Sequence, residues 1–172
     1  LVTDFDLSAA LKFHKSRGAL ATMVLTSVTN PLQFGVVTAD DKGKIQNFLE
    51  KPGWGEVVSD TVNTGIYFLE PQILQLIPEG RPFDFSRDLF PHLLKENRPL
   101  FAFKAEGYWK DVGNPESYRS VHKDAFQGKI KVPLQGRPVK AGDGTVWLAG
   151  GAEVLKGARI SGTVVLGKDV RL

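Results

Sequence analysis

Asn63-Thr64-Gly65-Ile66-Tyr67-Phe68-Leu69-Glu70-Pro71-Gln72-Ile73-Leu74-Gln75-Leu76-Ile77 is the stretch on which the architecture turns. Residues 64–69 are rich in the β-branched and aromatic side chains that favour a strand. Pro71 suits the first turn of a short helix carrying Ile73, Leu74 and Ile77, and Pro78 stops it. A strand handing straight on to a helix is the α/β rhythm. Upstream, Asp6 can cap a helix over residues 7–17, with Leu7, Leu11 and His14 on one face and Gly18 as its stop. Residues 20–28 then form an apolar, β-branched run of the kind buried on both faces of a sheet. Residues 34–39 and 44–50 read as two strands joined through Asp40-Asp41-Lys42-Gly43, with hairpin turn chemistry. The hairpin ends at Lys51-Pro52, before a Gly/Trp loop.

Downstream, Asp84 or Ser86 can cap a helix to about Asn97, and Pro99 blocks its extension. A strand follows at 100–105. Asn114-Pro115-Glu116 supplies a cap, a first-turn proline and a first-turn acid to a helix that Gly128 ends. Residues 1–128 therefore read as mixed α/β with an inserted hairpin. Beyond them the period changes to six: Leu148, Val154, Ile160, Leu166 and Leu172 recur at that spacing, and Ala152, Ala158, Val164 and Val170 follow at a constant offset. Such a hexapeptide repeat suits a parallel β-helix. The expected domains are 1–128, a linker at 129–147, and a β-helix start at 148–172.

Composition narrows the function. The 172 residues are 42% hydrophobic and 24% charged, enough apolar mass for a core and too much for wholesale disorder. No apolar run approaches the ~18 residues a membrane span needs, and a soluble, cytoplasmic protein with no membrane partner is expected. Cysteine is absent, which removes disulfides, thiolate nucleophiles and Cys-based zinc sites. Residues 1–128 carry 14 basic and 16 acidic groups, and residues 129–172 carry 8 and 3. The basic groups of the tail are scattered singly, without the interleaved aromatics of a nucleic-acid surface, so no nucleic-acid partner is expected.

Several short segments could carry chemistry. Glu50-Lys51 places a carboxylate and an ammonium where a strand ends and Pro52 diverts the chain. Glu50 could accept from vicinal sugar hydroxyls while Lys51 meets a phosphate, provided the backbone bends there; a surface ion pair is the simpler reading. Asn63-Thr64-Gly65 offers an amide, a hydroxyl and a residue without Cβ, or merely a turn into a strand. Asp111, in Trp109-Lys110-Asp111-Val112-Gly113, stands at a strand end where carboxylates commonly hold Mg²⁺, or it is a local partner for Lys110. His14, His92 and His122 lack ligand spacing and read as interface or surface residues, and Asp4 with Asp6 reads as a helix N-terminus.

In this order, Thr3-Asp4-Phe5-Asp6-Leu7, Phe34-Gly35-Val36-Val37, Phe48-Leu49-Glu50-Lys51-Pro52, Val62-Asn63-Thr64-Gly65-Ile66-Tyr67 and Trp109-Lys110-Asp111-Val112-Gly113 resemble the landmarks of the sugar-phosphate nucleotidyltransferases, the NDP-sugar pyrophosphorylases. Asp84-Phe85-Ser86-Arg87-Asp88-Leu89-Phe90-Pro91 and the hexapeptide tail look most like the mannose-1-phosphate guanylyltransferase branch. The resemblance implies part of a Rossmann-like nucleotidyltransferase sheet followed by a left-handed β-helix. It also implies transfer of a nucleotidyl group from a nucleoside triphosphate, here GTP, to a sugar 1-phosphate, here mannose 1-phosphate, with pyrophosphate released. In that scheme Glu50 holds sugar hydroxyls, Lys51 meets the sugar phosphate, Gly35 lets the backbone close on the sugar, Asn63 and Thr64 contact it, and Asp111 binds Mg²⁺. Lys51 and Asp111 would be catalytic. The family's Gly-rich triphosphate loop and a second metal-binding Asp would precede Leu1, so the chain is expected to supply the sugar-phosphate side of a site, within a homo-oligomer built through the β-helix. The competing expectations are a non-catalytic pyrophosphorylase-like subunit and, since residues 129–172 hold no His, less readily a hexapeptide acyltransferase.

Overall fold

The computed structural model describes all residues except Trp54, Val58, Leu134 and Gln135, so the Trp of the expected Gly/Trp loop and two residues of the expected linker lie outside the described residues. The chain divides into two compact units, Leu1–Asp111 and Val112–Leu172.

The first unit is built on a five-stranded sheet of β2 (Ala21–Ser27), β3 (Gly35–Ala39), β4 (Ile45–Glu50), β5 (Thr61–Leu69) and β6 (Leu100–Lys104), in the order β4-β3-β5-β2-β6. Only β2 and β6 run parallel; the other neighbours are antiparallel. The expected hairpin is thus not a separate insertion but the continuation of the sheet through β3. Its turn is closed by Asp40, whose carboxylate accepts from the backbone N–H groups of Lys42 and Lys44, with Gly43 at positive φ. The hairpin tip also reaches the far side of the sheet: Lys44 bridges Phe101, and the Ala102 N–H donates to the Gly43 carbonyl. A short pair, β1 (Val2–Thr3) and β7 (Trp109–Lys110), stands beside the main sheet.

One face of the sheet packs on Ile73, Leu89, Phe90 and Leu93, all fully buried with Met23, Val37 and Leu100. These come from a 3₁₀ segment (Pro71–Leu76) and from α2 (Phe90–Lys95), which a wider π turn (Phe85–Leu89) precedes. The sequence predicts one continuous helix there. The wide turn has a cause: Pro91 has no N–H for the Arg87 carbonyl and its ring crowds that oxygen, so the preceding bonds lengthen to five residues, Leu89 N–H to Asp84 O and Phe90 N–H to Phe85 O. The other face packs Phe5, Ala10, Val24 and Ala105 under α1 (Leu7–Ser16), which Asp6 caps by accepting from Ala9 N–H at 2.9 Å. Here the expected face is corrected in part. His14 is buried on it as expected, but Ala10 rather than Leu7 or Leu11 is buried beside it. The His14 ring lies between the Thr22 hydroxyl at 2.8 Å and Glu70 at 3.2 Å, a core position and not a surface one. The expected short helix is a 3₁₀ segment, which buries Ile73 and leaves Leu74 67% exposed.

The second unit carries α3 (Pro115–Phe126), closed by the reciprocal Asn114–Ser117 capping box, and three strands, β8 (Arg137–Ala141), β9 (Gly144–Leu148) and β10 (Thr163–Leu166). Much of the stretch expected as a linker is therefore a hairpin, β8 with β9. β9 and β10 are parallel and pair Thr145 with Thr163 and Leu148 with Leu166, each partner 18 positions on; Glu153 bridges Arg171 at the same step. Leu148, Ala152, Val154, Ile160, Val164 and Leu166 of the six-residue pattern gather with Val146 into one apolar cluster, while Val170 and Leu172 remain exposed.

Two substitutions test this packing. Leu93→Ala removes a fully buried side chain and should cost about 3 kcal/mol in denaturant unfolding. Asp6→Ala should cost about 1 kcal/mol, the loss of one helix cap.

Candidate functional site

A break in the pairing of β5 with β2 builds the site. Val24 faces Ile66, but the next residue, Leu25, faces Asn63, so Thr64 and Gly65 are extra residues bulged out of the ladder. Gly65 has φ +78°, a conformation that favours glycine. The carbonyl of Val24 accepts from the Thr64 hydroxyl at 2.7 Å, and the Trp109 indole N–H donates to the Thr64 carbonyl at 3.2 Å. Trp109 in turn stands edge-on to Phe34, with ring centres 5.3 Å apart. The bulge thus ties together β5, the start of β3 and the short strand that leads to Asp111.

The same strand is held from the other side. The Asp4 carboxylate accepts from the Tyr108 N–H at 2.7 Å, and the Thr3 hydroxyl donates to the Tyr108 carbonyl. Asp4 was expected to serve the N-terminus of α1; it holds Tyr108, next to β7, and Asp6 makes the helix cap.

Around the bulge lies a cleft of about 250 Å³ lined by Gly35, Glu50, Asn63, Thr64 and Asp111, with Phe34, Ser86 and Trp109 among its other walls. Five of the residues singled out from sequence therefore meet at one place, from β3, β4, β5 and the residue after β7. Gly35 and Glu50 are cross-strand partners. A Cβ on Gly35 would sit 2.9 Å from a Glu50 carboxylate oxygen and 2.9 Å from the Phe48 ring, so the missing side chain is what allows Glu50 to lie across this strand. Lys51 does not line the cleft. It has φ +49°, unusual for a lysine, so the backbone bends directly after Glu50. Thr64 is buried and its proton is committed to Val24; a hydroxyl contact to a ligand, expected from the sequence, is left only its lone pairs.

Sequence reasoning passed over Tyr67 and Ser86. The Tyr67 hydroxyl accepts from Asn63 Nδ2 at 2.8 Å. Burial pushes the Tyr67 phenol above the ordinary tyrosine value; the hydrogen bonds to Asn63 and Ser86 oppose this, and the nearby charges of Glu50 and Asp84 reinforce it. The signal in the sequence was Asn63 and Tyr67 on one strand, hidden by the bulge between them.

Among the described residues no group of three or more His, Cys, Asp or Glu side chains could hold a metal ion. Asp111 is exposed at the cleft. A single carboxylate does not make a protein cage for a cation, but Mg²⁺ is commonly held by one or two carboxylates together with the phosphates of a substrate, and the donor set fits that use. Among the described residues no helix is long and apolar enough to cross a membrane.

A solved structure from Bacillus anthracis, provisionally assigned as a glucose-1-phosphate thymidylyltransferase, superposes with a TM-score of 0.60 at 23% identity over 77% of this chain and 53% of that one, which establishes a shared mixed α/β fold. The chain is 33% identical to a UTP–glucose-1-phosphate uridylyltransferase of Synechocystis sp., over 95% of its own length and 47% of the relative's. It is 36% identical to the mannose-1-phosphate guanylyltransferase catalytic subunit beta of Drosophila pseudoobscura pseudoobscura, over 69% of its own length and 31% of the relative's. The chain thus spans between about a third and a half of these curated relatives. The family model for nucleotidyl transferases matches residues 1–128, the stretch that holds the whole cleft, and the chain belongs to that family.

Proposed function

We propose that the cleft binds a sugar 1-phosphate and serves nucleotidyl transfer from a nucleoside triphosphate, with pyrophosphate as the leaving group. The observation that carries this reading is the convergence of Glu50, Asn63 and Asp111 on one cleft in a chain of this family. In the reaction a phosphate oxygen of the sugar 1-phosphate attacks the α-phosphorus, a new P–O bond forms, and the bond to the β-phosphate oxygen breaks. Such chemistry asks the protein for placement and charge neutralisation rather than for a covalent nucleophile. Glu50, exposed and acceptor-only, takes hydrogen bonds from vicinal sugar hydroxyls, and Asn63 adds a donor. The backbone at Gly35, without a Cβ, lets the ring approach. Lys51, next to Glu50 but outside the cleft lining, would reach the phosphate by its flexible four-carbon stem and meet it as a point charge. Asp111 would hold Mg²⁺, which when bound neutralises phosphate charge.

The relatives' names point to a hexose 1-phosphate, and the mannose-1-phosphate and GTP pairing is our choice among them. Retention of three polar groups at one cleft argues against a purely structural subunit. We also read residues 148–172 as the opening coil of a hexapeptide β-helix, a reading supported by the 18-residue register of β9 and β10.

Calorimetric titration of the folded chain with mannose 1-phosphate and glucose 1-phosphate tests the proposal. Binding is expected, and a chain that is folded yet binds neither would refute it. Glu50→Gln should weaken binding about tenfold or more, as expected for loss of a charge-assisted acceptor. Asp111→Asn should leave binding in EDTA unchanged while removing its enhancement by Mg²⁺. Lys51→Gly removes the ammonium and relieves an unfavourable backbone angle, so it should stabilise the fold by about 0.5–1 kcal/mol while weakening affinity for the phosphorylated sugar more than for the free sugar.

A further inference from the structure

We propose that Tyr67 is a positioning residue for this cleft: it locks the Asn63 side-chain amide in the orientation that presents an N–H, rather than a carbonyl oxygen, to the bound sugar. The inference rests on the sugar-phosphate reading of the cleft and concerns how that site chooses its hydrogen-bond pattern.

The hydrogen bonds fix the directions. The backbone N–H of Gly65 can only donate, and it lies 3.0 Å from Asn63 Oδ1. The other end of the amide must then be the donor, and it faces the Tyr67 oxygen at 2.8 Å. Tyr67 therefore accepts from Asn63, and its own proton is left for another acceptor. Asn63 keeps one N–H and one lone pair uncommitted by these two bonds. Rotating the amide by half a turn would set its nitrogen against the Gly65 N–H, donor against donor. Gly65 thus sets which way round the amide sits, and the Tyr67 oxygen, by accepting from its nitrogen, holds it there.

Tyr67 is well placed to hold still. Its ring packs on Phe90, with centres 5.0 Å apart, and on Phe85 at 6.0 Å, so the phenol is braced by the core on one side. Burial and the charges of Glu50 and Asp84 keep it protonated through the physiological range. The cleft consequently offers a sugar one fixed acceptor, Glu50, and one fixed donor, Asn63. A ligand with a hydroxyl able to donate to the first and another able to accept from the second matches this pattern without reorganising the site.

Tyr67→Phe keeps both ring contacts and deletes only the hydroxyl. The test combines side-chain amide NMR of the 172-residue chain with titration of mannose 1-phosphate. In Tyr67→Phe the Asn63 NH₂ resonances should move and exchange faster, and affinity should fall about tenfold, the net worth of a lost hydrogen bond at the site. Asn63→Ala should lose a similar factor. The double variant should bind no worse than Asn63→Ala alone, because Tyr67 acts through Asn63. Additive losses would overturn the proposal by showing that Tyr67 meets the ligand itself, and unmoved Asn63 resonances would overturn it without any ligand present. Failure of the unaltered chain to bind sugar 1-phosphates would defeat the substrate reading instead, while the resonances still report on the lock. Should Tyr67→Phe fail to fold, Asn63→Asp serves: it preserves acceptors for Gly65 and for the Tyr67 proton but removes the donor, and undiminished affinity would reject the assignment.

Discussion

The structure depends on how one backbone carbonyl is satisfied. Where β5 bulges away from β2, the Val24 oxygen would otherwise be buried without a ladder partner, a loss of about 1–3 kcal/mol. The Thr64 hydroxyl replaces the missing N–H. Because that bond is made, the bulge can persist in the middle of a sheet, Gly65 can take its left-handed conformation, and the Thr64 carbonyl is free to receive the Trp109 indole. A sheet of uninterrupted pairing would bring none of these elements together. The cleft exists because a defect in the ladder has been made inexpensive.

A second constraint concerns space. Gly35 stands opposite Glu50, and neither the Phe48 ring nor the carboxylate leaves room for a methyl group there. The glycine thus serves two ends at once, admitting the Phe48 ring to the core and letting the carboxylate fold over the strand. The strand that carries Asp111 is fastened by Asp4 and Thr3, more than a hundred positions away in sequence. Rigid support of this kind, drawn from separate elements, lets exposed side chains at strand ends act from fixed positions.

Much of this was legible in the residues. Asp6 announced its helix, Asp40 to Gly43 announced a hairpin, and the six-residue spacing announced a tail unlike the rest of the chain. Glu50, Asn63 and Asp111 could be proposed as one group only through the resemblance of their segments to the sugar-phosphate nucleotidyltransferases, since each alone reads as readily as a surface pair, a turn or a local contact. What stayed hidden shares a physical cause: it depends on partners remote in sequence. Leu7 and Leu11 have the apolar character of a buried face, yet Ala10 packs with Phe5 and Val24 in their place, and the buried His14 ring is made acceptable by Thr22 and Glu70 as polar partners. The π turn before α2 follows from Pro91, but only after the helix start at Asp84 is known. Thr64 looked like a ligand group because its hydroxyl is ordinary in sequence; the buried carbonyl that claims it is 40 residues away.

The parallel step between β9 and β10 constrains how the tail can change in length. Every paired residue of β9 finds its counterpart in β10 18 positions later. Inserting one residue between the two strands would slip that register by one and turn each β10 side chain to the opposite face, unless the connecting loop absorbed it. The connection can therefore vary in its loop more readily than in the strands themselves.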